Sequence, residues 1–416
     1  MSSNLTVPFF RPEIGETEIA EVVAVLRSGW LTTGPRVREF EAAFAAAVGA
    51  RQAVAVNSAT AALHLAVEAL GLAPGDGVLV PTMTFAATAE VVRYMGGVPV
   101  LVDCHPETFN LDLADAELKL QRAECGQLPN LPPLKIVGII PVHVGGLMMD
   151  VAALRTFCDR HALWMVEDAA HAFPAAWRPS PRHPWTSCGQ NTAAVTCFSF
   201  YANKTITTGE GGMAVTDDER LADRMRLMSL HGLSKDAWDR YGGKGPWDYR
   251  IVAPGFKYNL TDLAAAIGIH QLARAEDMRS RRETRAQTYA DLLQDVEEID
   301  LPPSPADRRH AWHLFPIRLR LDRLTIDRDE FIDAMRTAGI GTSVHWRPLH
   351  LHPYYQEHFK WTAGDCPIAT SEWRRLITLP LFPSMSSADQ GLVVAAIRSI
   401  CAKAASSSPA GREATA

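Results

Sequence analysis

From about residue 50 to residue 215 the chain alternates short β-branched runs with longer amphipathic ones. AVAV at 53–56 leads into a helical pattern from Thr60, and GVLVP at 77–81 into a helix through Val91. VPVLVD at 98–103, KIVGIIPV at 135–142 and LWMVED at 163–168 continue the series. Strands that alternate with helices must be joined by crossovers, so they predict parallel βαβ units in an α/β sheet covered on both faces. The runs end in polar residues where the next turn begins. In open sheets of this kind a ligand sits beyond the carboxyl ends of the strands, so Ser58, Thr60, Thr84, Phe85, His143 and Asp168 are expected along one crevice.

The length of 416 residues with 47% hydrophobic and 21% charged residues supplies a large core and excludes a disordered chain. Forty-one basic against 47 acidic residues give a net charge of −6, which excludes a general attraction to nucleic acid or anionic membrane. The seven cysteines are scattered without a C-x-x-C pair, so they read as reduced thiols of a cytoplasmic protein, with no metal site. No leader-like segment opens the sequence and no run of eighteen apolar residues occurs.

Residues 217–280 read as helical, interrupted by the aromatic, Gly/Pro-rich stretch DRYGGKGPWDYRIVAPGFKYNLTD. Long loops of this sort are usually functional, and Trp238, Tyr241, Trp247 and Tyr249 within it suit either a sugar or nucleotide or a subunit contact. Beyond it a charged helix, ARAEDMRSRRETRAQTYADLLQ, precedes HLFPIRLRL as a strand, RDEFIDAMRTAG as a helix and GTSVHWRPL as a strand. The expected division is a large domain over 1–274 with an N-terminal arm, a smaller C-terminal α+β domain over 275–402, and a frayed tail over 403–416.

Three segments carry the chemistry. In FSFYANKTITTGEGGMAVTDD a single lysine, Lys204, lies between a β-like run and a Gly-rich turn; a lysine partly withdrawn from water has a lowered pKa and can form a Schiff base. Asp168 ends a buried apolar strand, where a carboxylate needs a cation or several donors. The protonated pyridine nitrogen of pyridoxal phosphate is such a cation, while a helix N-cap is the plain alternative. NSATAALHLA opens a helix with small hydroxyl residues after a strand, which makes a phosphate site from free N–H groups and the helix dipole. Phe85 follows another strand and offers a flat face to a ring, or a core contact.

Taken together, RSGWLTTGPRVREFEAAFA, NSATAALHLA, PTMTFAATAEVVRYMGGVPVLVD, PVHVGG, VEDAAHA, FSFYANKTITTGEGG, PGFKYNLTDLAAAIGIHQL and GTSVHWRPLH resemble the DegT/DnrJ/EryC1/StrS family of sugar aminotransferases over nearly the whole chain. The resemblance implies the type I fold of pyridoxal-phosphate transferases and assigns the Schiff-base lysine to Lys204 and the partner of the pyridine nitrogen to Asp168. It gives the phosphate to Thr60, Ala61 and Ser199, and the ring-stacking face to Phe85. Asn259 would reach the phosphate of a neighbouring subunit's cofactor, which implies a homodimer with shared sites. His171 stands where many members have glutamine, and would contact the cofactor's 3-oxygen through a ring N–H.

The turn Lys204-Thr205-Ile206-Thr207-Thr208-Gly209-Glu210-Gly211-Gly212 resembles the form found in members that aminate C-4 of the sugar rather than C-3. HGLSKDAWDR, PGFKYNLTD, AWHLFPIRL and GIGTSVHWRPLH resemble most nearly the members forming UDP-4-amino-4-deoxy-L-arabinose. The implied reaction moves the amino group of L-glutamate to a nucleotide-linked 4-keto sugar. His345 and Arg347 are candidates for a carboxylate or pyrophosphate, Arg347 because of its forked donors, and His231 is a third. A sugar dehydratase of the same family is the alternative enzyme, against which Lys204 counts because dehydratases carry histidine there. A non-catalytic regulatory protein on the same fold is the alternative of another class.

Overall fold

The computed structural model describes residues 5–233 and 250–405. Its centre is a seven-stranded sheet of β1 (Gln52–Val56), β2 (Gly77–Pro81), β3 (Val98–Val102), β4 (Ile136–Ile139), β5 (Trp164–Asp168), β6 (Val195–Ser199) and β7 (Gly212–Thr216). The order across the sheet is β1-β7-β6-β5-β4-β2-β3. Only β7 runs against its neighbours; the other strands need crossovers, which α3 (Ala59–Ala69), α4 (Ala87–Tyr94), α5 (Leu113–Glu124) and α6 (Val151–His161) provide. The architecture is therefore the predicted α/β type with a mainly parallel sheet.

Strand composition explains the burial. β2 and β6 are apolar along nearly their whole length because helices cover both faces. One covering layer packs Leu63, Val67, Val91, Leu120 and Leu154 against the sheet. The other packs Phe40 and Phe44 of α2 (Pro35–Val48) with Phe173, Phe198 and Phe200. After α7 (Glu219–Ser229) and α8 (Asp262–Ala273) the chain enters α9 (Ala275–Leu293), whose Ala286, Tyr289 and Leu293 help to form a third cluster. This cluster is built on a small antiparallel sheet of 299–300, 315–319 and 376–379 and on the helix Ser387–Ala404.

The N-terminal segment belongs to this third cluster too. Val7 is fully buried in it, pairs with Ile340, and exchanges backbone hydrogen bonds with Gly339 and Gly341. A few residues on, Glu13 meets Arg281 on α9 through both carboxylate oxygens, at 2.8 and 3.0 Å.

One strand assignment is corrected. GTSVHWRPL is not a strand: only Ser343 pairs, with Thr378, before the backbone turns away. Pro348 has no N–H to offer a ladder, and the turn sends Val344, His345 and Trp346 toward the sheet's crevice instead of along its own small sheet.

Candidate active site

A cavity of about 610 Å³ lies beyond the carboxyl ends of the parallel strands, a size suited to a cofactor with a substrate beside it. Ser58, Thr60, Thr84, Phe85, Asp168, His171, Ser199, Lys204, His313, His345 and Trp346 are all on its wall. His143, expected in the crevice, is instead wholly buried behind it. Its Nδ1 accepts from the N–H of Met149 at 3.2 Å, so Nε2 carries the proton and points to Glu167 Oε1 at 3.4 Å. Cys188 also lies close, but with that tautomer Nε2 presents its N–H toward the carboxylate, not a lone pair to a metal.

Lys204 sits in the connection between β6 and β7. Phe200 N–H donates to Gly211 O at 2.9 Å and Thr208 N–H to Phe200 O at 3.0 Å, closing the base of this loop. Thr207 Oγ1 donates to Phe200 O and accepts from Gly209 N–H, which fixes its tip. The lysine is thus presented on a rigid turn, partly open to the cavity. Burial pulls its pKa down to about 8, with only the charge of Asp168 opposing.

Asp168 closes β5 and is 5% exposed. It accepts from Thr88 Oγ1 at 2.7 Å and from Ala170 N–H at 3.1 Å. Burial raises its pKa, against those hydrogen bonds and the more distant charge of Lys204. A buried carboxylate with two neutral donors and, among the described residues, no contacting cation is under-compensated, and a protonated pyridine nitrogen supplies the missing charge.

The start of α3 completes the anion end. Ser58 caps the helix by accepting from Ala61 N–H at 3.1 Å. Ala61, matched to the phosphate by resemblance, here donates its N–H to Ser58 Oγ, while the N–H groups of Ala59 and Thr60 at the first turn have no intrahelical acceptor. β7 is packed tightly beneath, since a Cβ on Gly212 would stand 2.4 Å from Ser58 O and 2.6 Å from Ala59 N. Ser199 Oγ accepts from Tyr201 N–H at 3.3 Å, leaving its own hydrogen available. Phe85 is 63% exposed at the mouth, an open ring face above the crevice. The residues present fit pyridoxal phosphate: a reactive amine, an uncompensated carboxylate, a helix start with hydroxyls, and an aromatic face.

His171 is buried with Nδ1 accepting from Gly145 N–H at 3.3 Å, and burial holds it neutral, far below the usual imidazole range. Its ring stacks on Trp346, 17° from parallel. His345 lines the cavity and contacts Thr378 Oγ1 at 3.0 Å. Arg347 does not join it: Nε and Nη2 both contact Leu351 O, and the guanidinium covers Trp373. His231 is likewise away from the cavity wall, exposed in a turn beside Phe256. Asn259 lies outside the wall as well, donating to Thr33 Oγ1 at 2.7 Å and accepting from Lys257. Trp238, Tyr241, Trp247 and Tyr249 fall outside the described residues.

The sequence reading missed Thr88, Trp346 and His313. Thr88, in the first turn of α4, lies four residues after Thr84, which precedes the helix in PTMTFAAT, and their hydroxyls meet at 2.7 Å. His313 had no signal of its own beyond the block AWHLF.

Comparison with known proteins agrees with this geometry. The family model described as the DegT/DnrJ/EryC1/StrS aminotransferase family matches residues 12–398. The spore coat polysaccharide biosynthesis protein SpsC of Bacillus subtilis is 44% identical over 398 residues, covering 95% of this chain and 97% of its own. Spr1654 of Streptococcus pneumoniae, described as a sugar aminotransferase, superposes in its pyridoxamine phosphate form with a TM-score of 0.86 at 31% identity, covering 96% of this chain and 100% of that one. DesV of S. venezuelae has a TM-score of 0.80 at 32% identity, covering 92% and 94%. With its fold, its cavity and its sequence in agreement, the chain belongs to the DegT/DnrJ/EryC1/StrS aminotransferase family and is a sugar aminotransferase that uses pyridoxal phosphate.

Proposed function

We propose that the enzyme moves the amino group of L-glutamate to the C-4 ketone of a nucleotide-linked 4-keto sugar, yielding a 4-amino sugar nucleotide and 2-oxoglutarate. The observation that carries this reading is the placement of Lys204 and Asp168 on one cavity wall, together with the 205–212 turn that resembles members acting at C-4. We further propose a cytoplasmic homodimer with shared sites, in which Asn259 serves the neighbouring subunit, and a division into a cofactor-binding body over 1–274 and a smaller one over 275–402. No helix among the described residues is long and apolar enough to cross a membrane. The name of SpsC supports a product destined for a polysaccharide.

Pyridoxal phosphate, when bound, supplies an electrophilic carbonyl and an electron sink. Asp168 would hold the proton on its ring nitrogen, Thr60 and Ser199 its phosphate, Phe85 its ring face and His171 its 3-oxygen. Lys204 Nζ, unprotonated above about pH 8, takes the proton from Cα of glutamate in the first half-reaction. In the second it delivers a proton to C-4 of the sugar. One base on one face serves both halves, and kinetics are ping-pong.

The test is an absorbance spectrum of protein with pyridoxal phosphate before and after L-glutamate, in parallel with Lys204→Ala. Conversion to the pyridoxamine form in wild type only, followed by reversal on adding UDP-, dTDP- or GDP-linked 4-keto sugars, is expected. No spectral change with glutamate overturns the donor assignment; no reversal with any of these sugars overturns the acceptor assignment.

A further inference from the structure

His313 is a buried residue with nothing to bind. It is 5% exposed, it lines the cavity, and neither ring nitrogen has a hydrogen-bond partner among the described residues. Buried polar groups in native structures are satisfied in all but a few cases, so a histidine left with both nitrogens open toward a cavity is satisfied by what enters it.

Its position is nevertheless fixed from several sides. Ala311 N–H donates to Gly146 O at 3.1 Å and Leu314 N–H to Gly145 O at 3.2 Å. Gly146 stands at φ +98°, and a Cβ there would meet His171 O at 2.7 Å and Ala311 Cβ at 2.8 Å, so a glycine is what lets this segment approach His171. Arg282 of α9, 3% exposed, directs Nη1 to the carbonyls of Leu381 at 2.8 Å, Trp312 at 3.3 Å and His313 at 3.4 Å. Trp312, at φ +49°, is held by its N–H to His310 Nδ1 at 2.7 Å and by stacking on the His310 ring. The imidazole that results lies against His171, with ring centroids 4.3 Å apart.

We propose that His313 is a specificity-determining residue that hydrogen-bonds a ring hydroxyl of the acceptor sugar, and that Arg282 is its positioning residue. Burial, then the neighbouring His171, Lys204 and Arg282, keep the imidazole neutral. A neutral imidazole offers one N–H and one lone pair, which suits a hydroxyl that both donates and accepts. A carboxylate only accepts, so glutamate would leave one ring nitrogen unpaired. The described cavity wall also contains no arginine, so it is furnished for hydroxyls more than for carboxylates. The inference rests on the acceptor being a nucleotide-linked 4-keto sugar, and the experiment separates the two.

The holoenzyme is assayed in separate half-reactions by cofactor absorbance. The donor is L-glutamate, and the acceptors are the UDP-, dTDP- and GDP-linked 4-keto-6-deoxyhexoses, each with its 2-deoxy and 3-deoxy counterparts. For the acceptor that wild type uses best, loss of one of these hydroxyls is expected to lower kcat/KM about tenfold or more. His313→Phe should lower kcat/KM for the hydroxylated sugar to the deoxy level, so that discrimination disappears, and should lower the glutamate half-reaction by less than the sugar half. His313→Gln, which keeps a donor and an acceptor, should recover part of it. Arg282→Lys should raise KM for the sugar more than it lowers kcat. The inference is overturned if His313→Phe still discriminates, if wild type never does, or if the glutamate half falls as far as the sugar half. Failure of every sugar in wild type, with glutamate still converted, instead overturns the acceptor reading itself.

Discussion

Thr88 Oγ1 lies 2.7 Å from Asp168 Oδ2 and 2.7 Å from Thr84 Oγ1. A carboxylate only accepts, so the Thr88 proton goes to Asp168 and Thr84 donates to Thr88, giving a directed relay of two hydroxyls that starts at the cavity wall.

Thr88→Val keeps the shape and removes the relay. Asp168 then retains only the N–H of Ala170, and its pKa rises further. Affinity for pyridoxal phosphate should fall by about 1–2 kcal/mol, or roughly five- to thirtyfold. A cofactor titration followed by absorbance measures this, and unchanged affinity would show that the hydroxyl does not matter to the ring nitrogen.

Asp168→Asn should separate stability from function. The uncompensated charge disappears, so the apoprotein is expected to gain about 1 kcal/mol in urea denaturation near neutral pH. Amino transfer should drop at least a hundredfold, since a neutral amide cannot hold a proton on the ring nitrogen. An apoprotein that loses stability instead would mean that the carboxylate already has its compensation without the cofactor.

The pH dependence of cofactor capture follows from Lys204, whose pKa lies near 8 and not at the ordinary 10.5. The protonated amine cannot attack, so the rate at which apoprotein captures pyridoxal phosphate should rise with pH through about 8 and then level. Stopped-flow absorbance between about pH 6 and 10 gives the profile; continued rise toward 10.5 would place the lysine in water.

Two glycines should respond in opposite directions to alanine. At Gly212 the new methyl would press on the backbone of Ser58 and Ala59, costing about 1–3 kcal/mol and weakening the phosphate end of the site. At Gly391, inside the helix Ser387–Ala404, nothing lies within 4 Å, and alanine should stabilise by about 0.5–1 kcal/mol. Denaturation midpoints of the two variants provide the comparison.

The framework was legible because local pattern and global position agree there. Lys204 and Asp168 announce themselves as polar residues at the ends of apolar runs, and strand ends converge in an open sheet. What stayed hidden depends on contacts far apart in sequence. His313 owes its place to Arg282 and to the Gly145–Gly146 turn, neither adjacent to it. His345 reaches the cavity only because the segment read as a strand turns off its sheet, and Arg347, judged by its chemistry, spends its fork on Leu351 O.

The pairing of Val7 with Ile340 also sets an order on synthesis. Val7 leaves the ribosome more than 300 residues before its partner exists, and the edge strand β1 must likewise wait for β7, whose Thr216 faces Gln52. Domains otherwise fold as units while the chain is being made. Here the third cluster stays short of a buried valine until both of its distant pieces have emerged. Nascent chains halted before Ile340 should therefore expose this early segment to chaperones and proteases, and only the finished chain closes it.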